Sequence, residues 1–144
     1  MKLTDLSKMQ KYNLCIKLVS SLIEYLNDDE ASFVSEALNL CRSWYKDPGL
    51  DIAVDLYRYL DDEYQSLSLY EEAAEDIKMN ALWNCIIDSV AYICRGAFEA
   101  QRAQYFPEAI ELVDDDIFNH MQESLLQFYG NSDEWDKLLC TIEK

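Results

Sequence analysis

The sequence predicts an all-α fold, a single-domain bundle of about six or seven helices around one central apolar helix. Only 3 of its 144 residues are Gly and 2 are Pro, which is few for a β-rich domain with many tight turns. Long stretches repeat apolar residues with the 3.6-residue period of an α-helix. A chain of this length is typical of one domain with its own core. We therefore expect residues 1–144 to form a single helical domain.

The first two helices have start signals of the same kind. The first is expected over about residues 4–26, where apolar residues form one broad stripe. Ser7 and Gln10, inside this range, have the spacing of a capping box and are a candidate start of the regular helix. Asn27 and Glu30 repeat that spacing and predict the start of the second helix, which an Asp-Pro-Gly turn then ends.

The later helices surround one unusually apolar segment. A third, shorter helix is expected over residues 51–60 with Asp51 as its N-cap, and a fourth ends near Asp76. The fifth segment, residues 77–105, has apolar side chains in nearly every direction, which is typical of a central helix. Of the two helices that follow, the sixth is expected to end at Gly130, a residue suited to a left-handed helix end.

The charge of the chain is strongly negative and unevenly spread. There are 28 Asp and Glu residues against 12 Lys and Arg, a net charge of −16. Residues 1–27 contain four lysines and two acids, whereas the remainder contains 8 basic and 26 acidic residues. Such a field attracts a basic partner. It argues against nucleic acid as a direct ligand, because phosphate binding needs a basic patch.

Two acidic clusters are the candidate partner-binding surface. Segment 61–76 contains seven acids and no base, interleaved with tyrosines that could anchor an interface. We expect it to be the main electrostatic face, with the three aspartates at 114–116 second. The simpler interpretation of either cluster is a solvated helix end or loop. The candidate contact residues are Asp61, Asp62, Glu63, Tyr64, Tyr70, Glu71, Glu72, Glu75, Asp76, Asp114, Asp115 and Asp116.

No motif indicates catalysis or a bound cofactor. His120 is the only histidine, so a metal site or a nucleophilic cysteine would lack partner residues. We expect no catalytic residue, no metal and no cofactor. One polar stripe on the fifth segment is a hydrogen-bond ladder, a solvent-facing edge or, with a catalytic or switching Asp, a functional site. Its members are Asn84, Asp88, Tyr92, Arg95 and Glu99.

The cysteines and the N-terminus predict a compartment. The five cysteines are widely spaced and form no Cys-x-x-Cys motif, which is typical of reduced core thiols. The chain has no apolar run of transmembrane length and no signal-peptide pattern at its N-terminus. We therefore expect a cytoplasmic protein that does not interact with membranes.

Four segments carry a resemblance to a known family. Residues 36–45, 55–63, 82–92 and 105–116 read EALNLCRSWY, DLYRYLDDE, LWNCIIDSVAY and YFPEAIELVDDD. Together they resemble the sixth numbered family of immunity proteins from bacterial polymorphic toxin systems. The resemblance implies a small, mostly helical cytoplasmic protein that binds a cognate toxin domain, often a nuclease, and blocks it. It implies no particular contact residues.

Three hypotheses about function follow. The first is an immunity protein that neutralises a toxin domain with a basic surface by stoichiometric binding. The alternative is a helical adaptor or regulatory module that binds another basic cellular protein. An enzyme, such as a metal-dependent helical hydrolase, is least favoured because the sequence offers no ligand cluster.

Overall fold

The computed structural model describes residues 2–142, and the described chain is all-α, as the sequence predicts. Three short 3-10 turns, at Leu3–Asp5, Ile23–Tyr25 and Glu108–Ile110, accompany the α-helices. No strand occurs between residues 2 and 142. The α-helices are α1 (Lys8–Leu22), α2 (Asp28–Lys46), α3 (Ala53–Leu60), α4 (Leu67–Ala73), α5 (Ile77–Ala100), α6 (Ile117–Tyr129) and α7 (Asp133–Ile142).

Helix α5 is the central helix, and that prediction is confirmed. It packs against α1, α2, α3, α4 and α6, and buried residues lie on most of its circumference. Trp83 and Tyr92 are among the largest fully buried side chains of the described chain. One connected cluster of buried apolar residues includes members of every α-helix. Burial of this apolar surface is the main free-energy term that favours folding.

Capping residues set the starts of α1 and α2. The Ser7 side chain accepts a hydrogen bond from the Gln10 backbone N–H, and the Gln10 side chain accepts one from the Ser7 N–H. Asn27 and Glu30 form the same pair at the start of α2. The capping residue Ser7 has extended backbone angles, so the helix predicted over residues 4–26 is wrong in its first turn. Regular helix begins only at Lys8.

Two predicted helix boundaries, the start of α3 and the end of α5, differ from those of the structure. Asp51 does not cap α3, which begins at Ala53. The Asp51 carboxylate instead accepts a hydrogen bond from the Gln101 side chain. Helix α5 ends at Ala100 rather than near residue 105, because Arg102 has a φ of 58°. This left-handed residue reverses the chain.

Gly130 ends α6, as predicted. Its φ of 82° lies in the left-handed region, which glycine adopts without steric strain. Its N–H donates to the Leu126 carbonyl at 2.7 Å and satisfies one of the last carbonyls of α6.

Gly96 allows the closest approach between α1 and α5. A Cβ atom at this position would lie 2.7 Å from Cζ of Tyr12. The Tyr12 ring is buried and contacts the rings of Trp44 and Tyr92, with centroids 4.9 and 5.3 Å away. The missing side chain at Gly96 therefore makes room for an aromatic cluster that joins α1, α2 and α5.

All five cysteines are free thiols, four of them buried and Cys140 exposed. Between residues 2 and 142, no helix combines the length and the apolar character needed to cross a membrane.

Candidate partner-binding surface

Several acids of segment 61–76 have local structural roles. Asp62 accepts hydrogen bonds from the backbone N–H groups of Tyr64 and Gln65, at 2.8 and 3.3 Å. Asp76 caps α5 by accepting from the Met79 N–H at 2.9 Å. These carboxylates satisfy backbone donors that have no partner within a helix. The simpler interpretation of an acidic cluster, a solvated helix end or turn, thus applies to part of this segment.

Two further acids of the segment bond to side chains. Glu71 accepts a hydrogen bond from the Asn80 amide at 2.9 Å, which ties α4 to the first turn of α5. Asp61 accepts one from the Tyr57 hydroxyl at 3.3 Å, and this contact stays within the end of α3. Both carboxylates keep lone pairs for a partner, because each accepts few bonds.

Three acids of the segment are free of such roles. Glu63, Glu72 and Glu75 are exposed. Among residues 2–142, none of them forms a salt bridge or accepts a side-chain hydrogen bond. A carboxylate without an internal partner leaves its full charge in the surrounding field. Of the acidic residues on the predicted face, these three are the most available to a partner.

The two candidate tyrosines differ in accessibility. Tyr64 is 87% exposed at the connection between α3 and α4. Tyr70 is partly buried because its ring stacks on Trp83, with centroids 5.0 Å apart and planes 9° from parallel. Its hydroxyl accepts a hydrogen bond from Gln65 at 3.0 Å. Tyr64 is thus free to contact a partner, whereas Tyr70 mainly holds α4 against α5.

In the second cluster, two lysines of the same chain neutralise the middle aspartate. Asp115 lies 2.7 Å from Nζ of Lys11 and 3.9 Å from Nζ of Lys8, and the Tyr92 hydroxyl donates to it at 2.8 Å. The hydrogen bond from Lys11 lowers the pKa of Asp115 below its usual value. Asp114 accepts from the Asp116 backbone N–H at 2.9 Å. Two lysines of the basic N-terminal segment thus belong to this cluster.

The two clusters lie on opposite sides of α5. Segment 61–76 contacts α5 through Tyr70 on Trp83, and the second cluster contacts it through Asp115 on Tyr92. Trp83 and Tyr92 are nine residues apart, which is about 13 Å along a helix and about half a turn around it. The structure therefore does not bring the two predicted clusters together into one surface.

The polar stripe of α5 forms a ladder of hydrogen bonds. Asp88 pairs with Nδ1 of His120 on α6, and burial raises the pKa of Asp88 while the bond from His120 opposes that shift. Arg95 donates to the carbonyl oxygens of Ile110 and Glu111, at 3.2 and 2.6 Å. These hydrogen bonds connect α5 to α6 and to the loop before α6. Of the interpretations given for the stripe from its sequence, this arrangement is the hydrogen-bond ladder.

A groove that the sequence does not reveal lies beside segment 61–76. Its volume is about 800 Å³, and its walls are α2, α3 and the loop between α3 and α4. Asp62 and Tyr64 come from the predicted set, whereas Glu36 on α2 and Asp55 on α3 do not. Glu36 and Asp55 are 19 residues apart, and only the packing of α2 against α3 makes them neighbours. No local signal could have paired them.

The described residues contain no group of three or more His, Cys, Asp or Glu side chains arranged to hold a metal ion. His120 has Asp88 as its partner, and the buried Cys15, Cys41 and Cys85 have pKa values raised by desolvation. A thiol with a raised pKa is a poor nucleophile.

Comparison with known proteins identifies the family. Comparisons with curated proteins and with solved structures give no match. A family model described as "Immunity protein Imm6" matches residues 10–128, a range that includes all of α2 to α5 and nearly all of α1 and α6. The match contains both acidic clusters and the groove between α2 and α3. The chain therefore belongs to the Imm6 family of immunity proteins.

Proposed function

We propose that this protein neutralises a cognate bacterial toxin domain by stoichiometric binding, without catalysis, through its acidic surface. The observation that carries the proposal is the family match over residues 10–128. We place the toxin's contact on the side of the molecule formed by α2, α3 and segment 61–76. The partner is a toxin domain with a basic surface, and neutralisation takes place in the cytoplasm.

The charge of the chain supports a basic partner, with a nuclease as the favoured class. A nuclease domain needs a basic cleft to hold polyphosphate, and a net charge of −16 complements such a cleft. The same charge disfavours direct binding of nucleic acid to the immunity protein. Complementary fields raise association rates to about 10⁸–10⁹ M⁻¹s⁻¹ at low salt.

The role of segment 61–76 is tested with charge reversals that spare its structural carboxylates. A triple variant carries Glu63→Lys, Glu72→Lys and Glu75→Lys, all at exposed positions. We expect association with the cognate toxin domain to slow about tenfold at low salt. The salt dependence of the rate should also become shallower, because fewer charges steer the encounter.

The matched control changes the charge equally on other parts of the molecule. It carries Glu24→Lys, Glu123→Lys and Asp136→Lys, which are also exposed. Stopped-flow association at several salt concentrations compares the two triple variants with the wild type. Equal rates for the two variants would contradict the assignment of this face. A wild-type protein that neither binds the toxin domain nor protects cells that express it would contradict the function itself.

A further inference from the structure

We propose that the groove between α2, α3 and the α3–α4 loop is the docking site for a basic segment of the toxin domain, one that inserts a Lys or Arg side chain beside an apolar one. This inference rests on the proposed function and specifies the chemistry of the partner. The groove has a volume of about 800 Å³, about twice that of two other cavities of about 390 Å³ each. That volume suits one or two inserted side chains.

The charges that line the groove favour a cation. Glu36, Asp55 and Asp62 contribute three carboxylates, and Arg58 is the single basic residue of the lining. Arg58 lies 3.8 Å from Asp55 and both side chains are mostly exposed, so this pair is weak. Two negative charges, those of Glu36 and Asp62, remain for a partner to neutralise. A concave wall strengthens their effect, because it reduces the screening by water.

The aromatic residues of the groove favour an apolar group beside that cation. Phe33 lies at the α2 wall and packs on Tyr59, with ring centroids 5.1 Å apart. Tyr64, 87% exposed, stands at the rim. Aromatic faces next to carboxylates suit the planar guanidinium of Arg, which stacks on a ring while it donates hydrogen bonds to an acid. These aromatic side chains also form an apolar surface that a partner can desolvate, and energetically important interface residues lie in desolvated pockets.

The contact between Tyr59 and Glu36 joins these two features. Burial raises the pKa of the Tyr59 phenol, and the nearby negative charge of Glu36 raises it further. The phenol comes from the α3 wall of the groove and the carboxylate from the α2 wall. A cation placed between them would meet an acid and an aromatic ring at once.

The other two cavities fit such an occupant less well. The cavity beside Asp114–Asp116 also contains Lys8 and Arg95, and Lys8 and Lys11 already neutralise Asp115. The cavity beside Glu75 and Asp76 is half the size, and Asp76 caps α5. Among these three cavities, the larger volume and an exposed tyrosine at the rim coincide with a net negative lining in the groove between α2 and α3.

The test introduces a positively charged side chain into the groove by substitution. Asn39 is exposed on α2 and lines the groove, so Asn39→Arg would occupy the groove and reduce the net negative charge of its lining. Gln122→Arg makes the same change of charge at an exposed position on α6, a helix that packs mainly on α5 and α7. The probe is the purified cognate toxin domain, and affinity is measured by calorimetry. Circular dichroism melting checks that both variants fold.

We expect Asn39→Arg to weaken toxin binding by about 30-fold or more, as expected for a blocked interface centre. Gln122→Arg should stay within about threefold of the wild type. A second variant, Glu36→Gln with Asp62→Asn, keeps the acceptor that Asp62 supplies to the loop and should lose about tenfold.

Three outcomes would overturn the inference. If Asn39→Arg binds like the wild type while the wild type binds and protects, the docking site is wrong and the proposed function stands. If the wild type itself does not bind, both are wrong. If Asn39→Arg turns a dimer of the free protein into a monomer in sedimentation, the groove is a self-contact and not a toxin site.

Discussion

The two acidic regions of this protein look alike in sequence and behave differently in the fold. In segment 61–76, Glu63, Glu72 and Glu75 remain exposed without internal partners in the described chain. In the second region, Asp115 is bound by Lys11 and by the Tyr92 hydroxyl. The first region directs its charge outward, whereas the second uses its charge to hold α1 against α5 and the loop before α6.

The difference teaches that an acidic run does not by itself indicate a partner-facing surface. Lys11 and Asp115 are 104 residues apart, so only the fold shows that one neutralises the other. The slightly basic N-terminal segment thus has a structural role in an acidic protein. Residues with an internal partner should affect stability, and those without one should affect association. Three predictions, from the largest expected effect to the smallest, separate these roles.

The largest effect is expected from Gly96→Ala, which disturbs the support of the second region without changing any charge. The new Cβ would overlap the Tyr12 ring, which is held between Trp44 and Tyr92. Overpacking of this kind costs about 1–3 kcal/mol. The better helix propensity of Ala recovers up to about 1 kcal/mol. We expect a net loss of about 1–2 kcal/mol in the free energy of unfolding, measured by urea denaturation.

Toxin binding by Gly96→Ala tests whether the second region contributes to association as well as to stability. At a temperature where Gly96→Ala is folded, the association rate with the toxin domain should match that of the wild type. A slower rate at full folding would mean that the α1–α5 contact contributes to the toxin-binding face. Unchanged stability would mean that the Tyr12 ring is not held in place by its neighbours.

A smaller effect is expected from Asp115→Ala. The substitution removes the acceptor for the partly buried Tyr92 hydroxyl and the partner of Lys11. An unsatisfied buried donor costs about 1–3 kcal/mol, and Asp115 is half exposed, so we expect about 1 kcal/mol. Glu72→Ala, the matched change in the first region, should alter stability by less than about 0.5 kcal/mol. Equal losses for the two variants in denaturation would remove the distinction between the regions.

The smallest effect is a difference in the pH dependence of stability. The pKa of Asp115 is lowered from 3.8 by Lys11, so its ionised form stabilises the fold. That contribution is present above pH 3.8 and is lost as the pH falls through the folded-state pKa. The pKa of Asp88 is raised from 3.8 by burial. Its ionised form therefore opposes folding, and this penalty disappears as the pH falls from the raised pKa to 3.8.

Denaturation experiments between pH 5 and pH 2 distinguish the opposite effects of Asp115 and Asp88 on the pH dependence of stability. The stability advantage of the wild type over Asp115→Asn should shrink below pH 3.8. The stability of the wild type relative to Asp88→Asn should instead rise as the pH falls towards 3.8. Both changes should stay below about 1 kcal/mol, because Asp115 is half exposed and His120 partly compensates Asp88. Parallel curves for the two variants would contradict the opposite environments of these carboxylates.

Local signals explain which parts of the fold could be predicted from the sequence. The capping boxes at Ser7 and Asn27 and the glycine at 130 act within a few residues, so pattern alone places these helix ends. The start of α3 and the end of α5 could not be placed in this way. They depend on the bond between Asp51 and Gln101, 50 residues apart, and on the left-handed backbone at Arg102.

The candidate surface could be predicted only in part for the same reason. Composition identified the acidic residues of segment 61–76 and the exposed Tyr64. It could not show that Asp62, Glu71 and Asp76 stabilise the chain locally, because such bonds depend on backbone direction. Nor could it pair Glu36 with Asp55, since two helices must pack before these residues line one groove.

The burial of four thiols has a kinetic consequence. Desolvation raises the pKa of Cys94 to about 12 and that of the other three buried thiols further, so almost none is ionised near neutral pH. Thiol reagents attack the thiolate, so these four can react only when the core opens, whereas Cys140 is exposed in the native state. In the wild-type chain, one fast modification at Cys140 would mark the native protein. Four slow modifications would then record how often its core opens.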